Sequence, residues 1–134
     1  MKESKEPKGF QKAKKRAEEL LKNTPEVTDL LNKTVKKLKF TNNQKLNKLK
    51  NEIITLVRMV NAWVNGRYRS VPWNTILFAC AALVYFVNPF DLIFDAIPFF
   101  GLVDDITVIG FVVNAIQKDI EKFRVWENEQ DGSD

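Results

Sequence analysis

Apolar residues recur along the first half of this chain with the spacing of an α-helix. They form a narrow stripe over residues 10–22, on an otherwise basic segment, and a second stripe over residues 24–38. A third run has alternating intervals of three and four residues and consists of Leu46, Leu49, Ile53, Leu56, Val60 and Trp63. Because such intervals place side chains on one helix face, the pattern predicts three amphipathic helices.

Local start and stop signals set the bounds of these helices. Thr24 is the expected N-cap of the second helix, and Pro25 is expected at its first helical position. Thr41 and Gln44 fit a capping box that opens the third helix. Asn65-Gly66 is a typical helix stop and should end it.

The next segment, residues 71–90, carries no charge, and 15 of its 20 residues are apolar. As a helix it would be roughly 30 Å long, which matches the core of a bilayer. Trp73 and Tyr85, near its two ends, would suit anchoring at the membrane interface. Asn88-Pro89 should end the helix. The segment therefore predicts either a membrane span or the buried centre of a bundle.

A last helix follows, with an apolar part at residues 106–116 and a charged part at residues 118–126. Asp104 or Asp105 is its expected cap. The charge-free stretch is only about 18 Å long as helix, too short to span a bilayer alone. The two apolar segments thus predict a hairpin, residues 71–116, that either enters a membrane or packs as a core.

These elements predict an all-α fold, a small helical bundle with a strongly apolar C-terminal hairpin. This hairpin is a candidate for membrane insertion. Residues 1–23 are assigned to a basic N-terminal arm and residues 24–126 to the all-α domain. Residues 127–134 are assigned to an acidic disordered tail.

The charge is divided between the two halves of the chain. Residues 1–69 hold 18 Lys and Arg against 7 Asp and Glu, whereas residues 70–134 hold 3 against 10. No Lys or Arg lies between Ser70 and Gln117. If the hairpin is inserted, this distribution predicts that both termini are cytoplasmic. The basic half indicates an anionic lipid surface as a neighbour; nucleic acid is disfavoured because acidic residues interrupt the basic run.

The residue types present exclude several kinds of chemistry. The chain has no histidine, so it has neither a Ser-His-Asp triad nor a histidine metal site. Cys80, the single cysteine, lies in an apolar run and is expected to pack as a small hydrophobe. We therefore expect no enzyme, no catalytic residue, no cofactor and no small-molecule substrate.

Four aspartates interrupt the apolar half: Asp91, Asp95, Asp104 and Asp105. Together they could bind a hard cation such as Mg²⁺ or Ca²⁺ through oxygen ligands. Their spacing is not that of an EF-hand, and helix capping explains carboxylates beside prolines more simply. A proton shared within an apolar pocket is a third interpretation. We assign no metal site to them and keep them as weak candidates.

The same region resembles the YkvA-like family, a domain of unknown function found mostly in small bacterial proteins. The resemblance covers about residues 72–116 and is carried by Tyr85, Asn88-Pro89-Phe90-Asp91-Leu92-Ile93, Asp95, Ile97-Pro98, Gly101 and Asp104-Asp105. The family usually has proline where this chain has Phe94. The resemblance implies a helical hairpin module associated with a membrane, and it implies no reaction.

We therefore expect a non-enzymatic, membrane-associated helical protein that acts as an accessory or scaffold subunit. Its hairpin would bind the membrane or a membrane protein complex, and its basic helices would face the cytoplasmic side. The alternative is a soluble cytoplasmic adaptor that self-associates or binds a partner helix through the seam between Leu46 and Trp63.

Overall fold

The computed structural model describes residues 10–40, 44–87 and 100–132. These residues contain helices and no strand, which confirms the predicted all-α fold. In chain order the helices are α1 (Phe10–Leu20), α2 (Thr24–Phe40), α3 (Gln44–Val64), α4 (Trp73–Val87), α5 (Phe100–Ala115) and α6 (Gln117–Gly132).

The fold is built around α4. Ten of its 15 residues are buried, and the helix packs against α1, α2, α3 and α5. A helix that is apolar on every side has to be covered on every side, and here other helices of the same chain provide the cover.

The membrane-inserted form of the hairpin is not confirmed. In the part of the chain that the structure describes, no helix combines the length and the hydropathy that a membrane crossing requires. Tyr85, predicted as an interfacial anchor, is instead completely buried in the core. The hairpin arms α4 and α5 do pack against each other.

The helix α1 belongs to this core, although the sequence analysis assigned residues 1–23 to an arm outside the domain. Phe10, Ala13 and Ala17 are fully buried. The Phe10 ring meets the rings of Phe78 and Phe111 edge-on, at centroid distances of 5.3 and 5.4 Å. The apolar stripe of this basic helix thus packs inside the bundle.

The helix α2 begins at Thr24, but its cap lies one residue earlier than predicted. Oδ1 of Asn23 accepts a hydrogen bond of 3.3 Å from the backbone N–H of Glu26. Nδ2 of Asn23 donates to Oε2 of the same glutamate, also at 3.3 Å. Asparagine satisfies a free N–H at the helix start as threonine would, and so the type of signal was right and its position wrong. The capping box predicted at Thr41 lies outside the described residues.

The heptad-like seam of α3 faces the interior of the chain. Ile53, Leu56 and Val60 are completely buried, and Leu49 and Trp63 are partly buried against the same core. The side chain of Leu46 lies outside the described part. Burial within one chain explains the spacing of the seam without a partner helix.

The end of α3 follows the predicted stop at Asn65-Gly66. Gly66 has a φ of +79°, its N–H donates to the carbonyl oxygen of Trp63, and the N–H of Arg67 donates to that of Ala62. This pair of bonds is a Schellman motif, in which a left-handed residue closes the helix and reverses the chain.

Two helix bounds in the C-terminal half differ from the prediction. The helix α5 starts at Phe100, so Asp104 and Asp105 lie inside it and neither is its N-cap. The helix α6 continues to Gly132, past the predicted start of a disordered tail.

Two ion pairs hold α6 against α3. Nε and Nη2 of Arg58 donate to the two carboxylate oxygens of Glu127, at 2.7 and 3.1 Å. Nη2 of Arg124 donates to Oε1 of Glu52 at 2.9 Å and to Oγ1 of Thr55 at 3.2 Å. Glu127 lies at the start of the predicted tail, so this ion pair ties the first residue of that segment to α3.

The burial of Cys80 predicts an inert thiol. Desolvation raises the pKa of Cys80 from 9.0 to about 12, so the native thiol should stay protonated and unreactive towards an aromatic disulfide reagent at mildly alkaline pH. One equivalent should react once denaturant is added, with Cys80→Ala as the blank. The free energy of unfolding should decrease as the pH rises from about 9 towards 12, because only the unfolded thiol ionises there. Equal reaction rates with and without denaturant would contradict the buried position.

Gly66 and Gly110 form a matched pair for testing the α3 stop. A Cβ added at either glycine meets no atom within 4 Å, but only Gly66 has a positive φ. Gly66→Ala should lower the free energy of unfolding by about 1–2 kcal/mol through backbone strain. Gly110→Ala, inside α5, should raise it by roughly 0.8–1 kcal/mol through helix propensity. Urea unfolding measures both, and changes of the same sign would refute the left-handed stop.

Candidate functional site

The family-motif residues fall mostly outside the described part of the structure. Pro89, Asp91, Asp95 and Pro98 lie outside the described residues altogether. Gly101, Asp104 and Asp105 lie on α5, where the backbone is described and their side chains are not. Whether the four carboxylates converge therefore stays a prediction.

A cation site is not built by the residues that are described. Among their side chains, no group of three or more cysteines, aspartates or glutamates could hold a metal ion. The four aspartates remain weak candidates, since none of their side chains is among those described.

Lys37 holds the end of α4 that precedes the motif. Its Nζ donates a hydrogen bond to the carbonyl oxygen of Phe86, in the last turn of α4. The same ammonium lies 4.6 Å from the centroid of the Phe86 ring. A cation at a helix C-terminus satisfies a free carbonyl and complements the negative end of the helix dipole. Lys37 thus fixes the last described turn of α4 against α2.

A groove of about 320 Å³ lies between α1, α2 and the end of α4. Its floor includes Val84 and Val87, and its rim is charged. Lys33 on that rim pairs with Asp29 at 3.1 Å, and Arg16 pairs with Glu19 at 3.5 Å. Because neighbouring side chains neutralise these charges, the groove offers no convergent polar group that would orient a ligand.

Aromatic and cationic side chains gather where α3 turns into α4. The rings of Trp63 and Trp73 lie 5.8 Å apart, and the guanidinium of Arg69 lies 4.5 Å above the Trp63 ring. Trp73 is 43% exposed, and Arg67 and Arg69 are both exposed. We call Trp63, Arg67, Arg69 and Trp73 the Trp–Arg corner.

The turn behind the Trp–Arg corner is anchored in the core by Tyr68. Its ring is buried and contacts the rings of Phe123 and Trp126, with centroids 5.2 and 4.9 Å away. Burial, and next the charge of Asp119, raises the pKa of Tyr68. Asp119 in turn accepts a hydrogen bond from Oγ1 of Thr75, in the first turn of α4. The turn is therefore tied to both α4 and α6.

The two arginines of the Trp–Arg corner differ from the other three in the chain. Arg16, Arg58 and Arg124 each pair with a glutamate. In the described part of the chain no carboxylate pairs with Arg67 or Arg69; Glu127 borders the same groove as Arg67, but both its oxygens bind Arg58. The corner thus presents two guanidinium groups for which the described residues provide no carboxylate partner.

A second exposed surface lies at the end of α2. Phe40 is 81% exposed and Val35 is 38% exposed. The exposed lysines Lys36 and Lys39 lie beside them. We call these four residues the α2 end.

Each residue of the Trp–Arg corner was noted in the sequence, but the sequence did not predict that the four lie close together. Trp63 was placed in the α3 seam, Trp73 at the start of an apolar segment, and Arg67 and Arg69 at the end of the basic half. The signal that brings them together is Asn65-Gly66, because a Schellman turn reverses the chain within a few residues. The pairing of Lys37 with the end of α4 had no sequence signal.

Comparisons with known proteins agree with the resemblance seen in the sequence. Residues 75–111, which run from the first turn of α4 into α5, match the profile of a family described as "Protein of unknown function (DUF1232)". The chain is also 35% identical over 74 residues to the "Uncharacterized membrane protein YkvA" of Bacillus subtilis (strain 168). That alignment covers 55% of this chain and 70% of the relative. No solved structure matches the chain.

The profile spans the helix that forms the centre of the fold and the start of its hairpin partner, and the alignment to the relative extends well beyond it. The chain therefore belongs to the YkvA-like family of proteins of unknown function.

Proposed function

We propose that the protein is a non-enzymatic accessory or scaffold protein that associates with the cytoplasmic surface of a membrane through its basic half. The relative from Bacillus subtilis is named a membrane protein. The observation that carries the proposal is the cover around α4: the most apolar helix is enclosed by four helices of its own chain. Attachment through surface charge reconciles a membrane location with an apolar helix that is already buried.

Inserting the hairpin would uncover the rest of the bundle. Phe10 of α1, Leu31 of α2 and Leu56 of α3 are buried in the core that α4 completes. If α4 entered the bilayer, these faces would lose their partner, and each large apolar side chain returned to water costs about 1.5–3 kcal/mol. Surface attachment leaves the core intact.

The basic half supplies enough exposed cations for such attachment. They lie on α1, α2, α3 and the turns after α1 and α3, and they are Lys12, Lys15, Arg16, Lys22, Lys33, Lys36, Lys39, Arg58, Arg67 and Arg69. Three of them, Arg16, Lys33 and Arg58, are already paired with carboxylates. Each Lys or Arg close to an anionic surface contributes about 1 kcal/mol, and salt screens the attraction within about 10 Å. A few simultaneous contacts would hold the protein reversibly.

In fractionated cells we expect the protein to be released from the membranes without detergent. The protein should sediment with membranes at low ionic strength and leave the pellet in high salt or alkaline carbonate. Presence in the supernatant at low ionic strength would refute membrane association. Retention in carbonate would refute surface attachment and mean that the hairpin opens and inserts.

An Asp104→Asn/Asp105→Asn variant tests whether these carboxylates keep the second arm out of the bilayer. Each aspartate placed at mid-bilayer costs about 2.5–3.5 kcal/mol on insertion scales. Under surface attachment the variant should be released like the wild type, because α5 never enters the membrane. Carbonate resistance of the variant alone would show that the two charges, rather than the cover around α4, prevent insertion.

A further inference from the structure

We propose that the Trp–Arg corner is the part of the protein that docks into an anionic lipid surface. Arg67 and Arg69 would bind lipid phosphate groups, and Trp73 would enter the headgroup region. This inference rests on the proposed function and assigns it a contact site.

The exposed indole of Trp73 suits the membrane interface. An indole ring combines a large apolar surface with one N–H donor, and tryptophan is enriched where a membrane meets water. Trp73 keeps 43% of its surface exposed although a second tryptophan lies 5.8 Å away. The fold therefore supports this ring on one side and leaves the other side available.

The two arginines suit phosphate. A guanidinium presents its N–H donors in a planar fork that matches phosphate oxygens, and stacking on an aromatic ring leaves the edge of that fork free. The guanidinium of Arg69 lies 4.5 Å from the centroid of the Trp63 ring. Residues 65–74 contain two arginines and no acidic residue, so nothing within the turn repels an anion.

The local backbone favours the same ligand. Trp73 is the first residue of α4, so the positive end of the α4 dipole lies at the Trp–Arg corner. Gly66 and the buried Tyr68 fix the turn that carries both arginines. A site held in place before binding loses less conformational entropy on contact.

The α2 end is the competing contact point, and it is the weaker one. Its lysines are flexible point charges that lack the planar fork of arginine. Its single aromatic, Phe40, has no polar atom with which to sit at the interface. The binding of anionic vesicles by variants of each surface distinguishes the two contact points.

The first measurement uses tryptophan fluorescence as a position reporter. One variant keeps only Trp73 (Trp63→Phe/Trp126→Phe), and its control keeps only Trp126 (Trp63→Phe/Trp73→Phe). Phenylalanine retains an aromatic ring beneath Arg69. With vesicles of phosphatidylcholine and phosphatidylglycerol carrying brominated acyl chains, Trp73 emission should shift to the blue and be quenched. Trp126 is half-buried, packs on Tyr68 and Phe123 and borders the same groove as Arg67, so its emission should shift and be quenched far less than that of Trp73.

The second measurement is the vesicle affinity of charge variants. Arg67→Ala/Arg69→Ala should bind the same anionic vesicles roughly tenfold or more weakly than the wild type. The control Lys118→Ala/Lys122→Ala removes the same charge from exposed positions on α6 and should change the affinity far less. Arg67→Lys/Arg69→Lys keeps the charge without the fork and should recover part of the loss. Circular dichroism of each variant confirms that it is folded.

The outcomes separate the two proposals. If the wild type binds neither vesicles nor membranes, the proposed function fails. The Trp–Arg corner is not the contact site if the wild type binds vesicles but Trp73 stays unquenched and Arg67→Ala/Arg69→Ala binds as tightly as the control Lys118→Ala/Lys122→Ala. Loss of binding in Phe40→Ser with full binding of the arginine variant would assign docking to the α2 end and overturn this inference.

Discussion

The need to cover α4 on every side determines this fold. Its residues have no polar face that could turn to water, so the helix is stable only inside a lipid phase or inside a shell of other helices. This chain supplies the shell with α1, α2, α3 and α5. The amphipathic character of the first three helices, each with one apolar and one charged face, follows from that task.

The division of charge has a structural use as well. Arg58 of the basic half binds Glu127 of the acidic half, and Arg124 of the acidic half binds Glu52 of the basic half. These reciprocal pairs are partly exposed, and such pairs typically add at most about 1 kcal/mol each. They fix the position of α6 along α3, and both glutamates are thereby already paired with an arginine. Arg67 and Arg69 remain without a carboxylate partner among the described residues.

Sequence reasoning located most elements because their signals are local. Apolar spacing gives the helices, and Asn65-Gly66 gives a stop that the φ of Gly66 confirms. The cap of α2 was placed at Thr24 rather than Asn23 because both residue types are common N-caps and the two are adjacent. Tyr85 was misjudged because charge and length alone do not distinguish a membrane span from a core helix. Contacts such as Trp63 with Trp73, or Lys37 with Phe86, depend on how helices are arranged and leave no mark in a single sequence.

The edge-on contacts of Phe10 with Phe78 and Phe111 have a consequence for how the chain is made. Phe10 lies near the start of the chain and Phe111 in α5, so the core cannot close until α5 has left the ribosome. Until then α1, α2 and α3 are complete amphipathic segments whose apolar faces have no α4 to pack on. A nascent chain in that state exposes apolar faces that the finished protein conceals. Translation speed through residues 73–115 therefore sets how long those apolar faces stay uncovered before the chain folds.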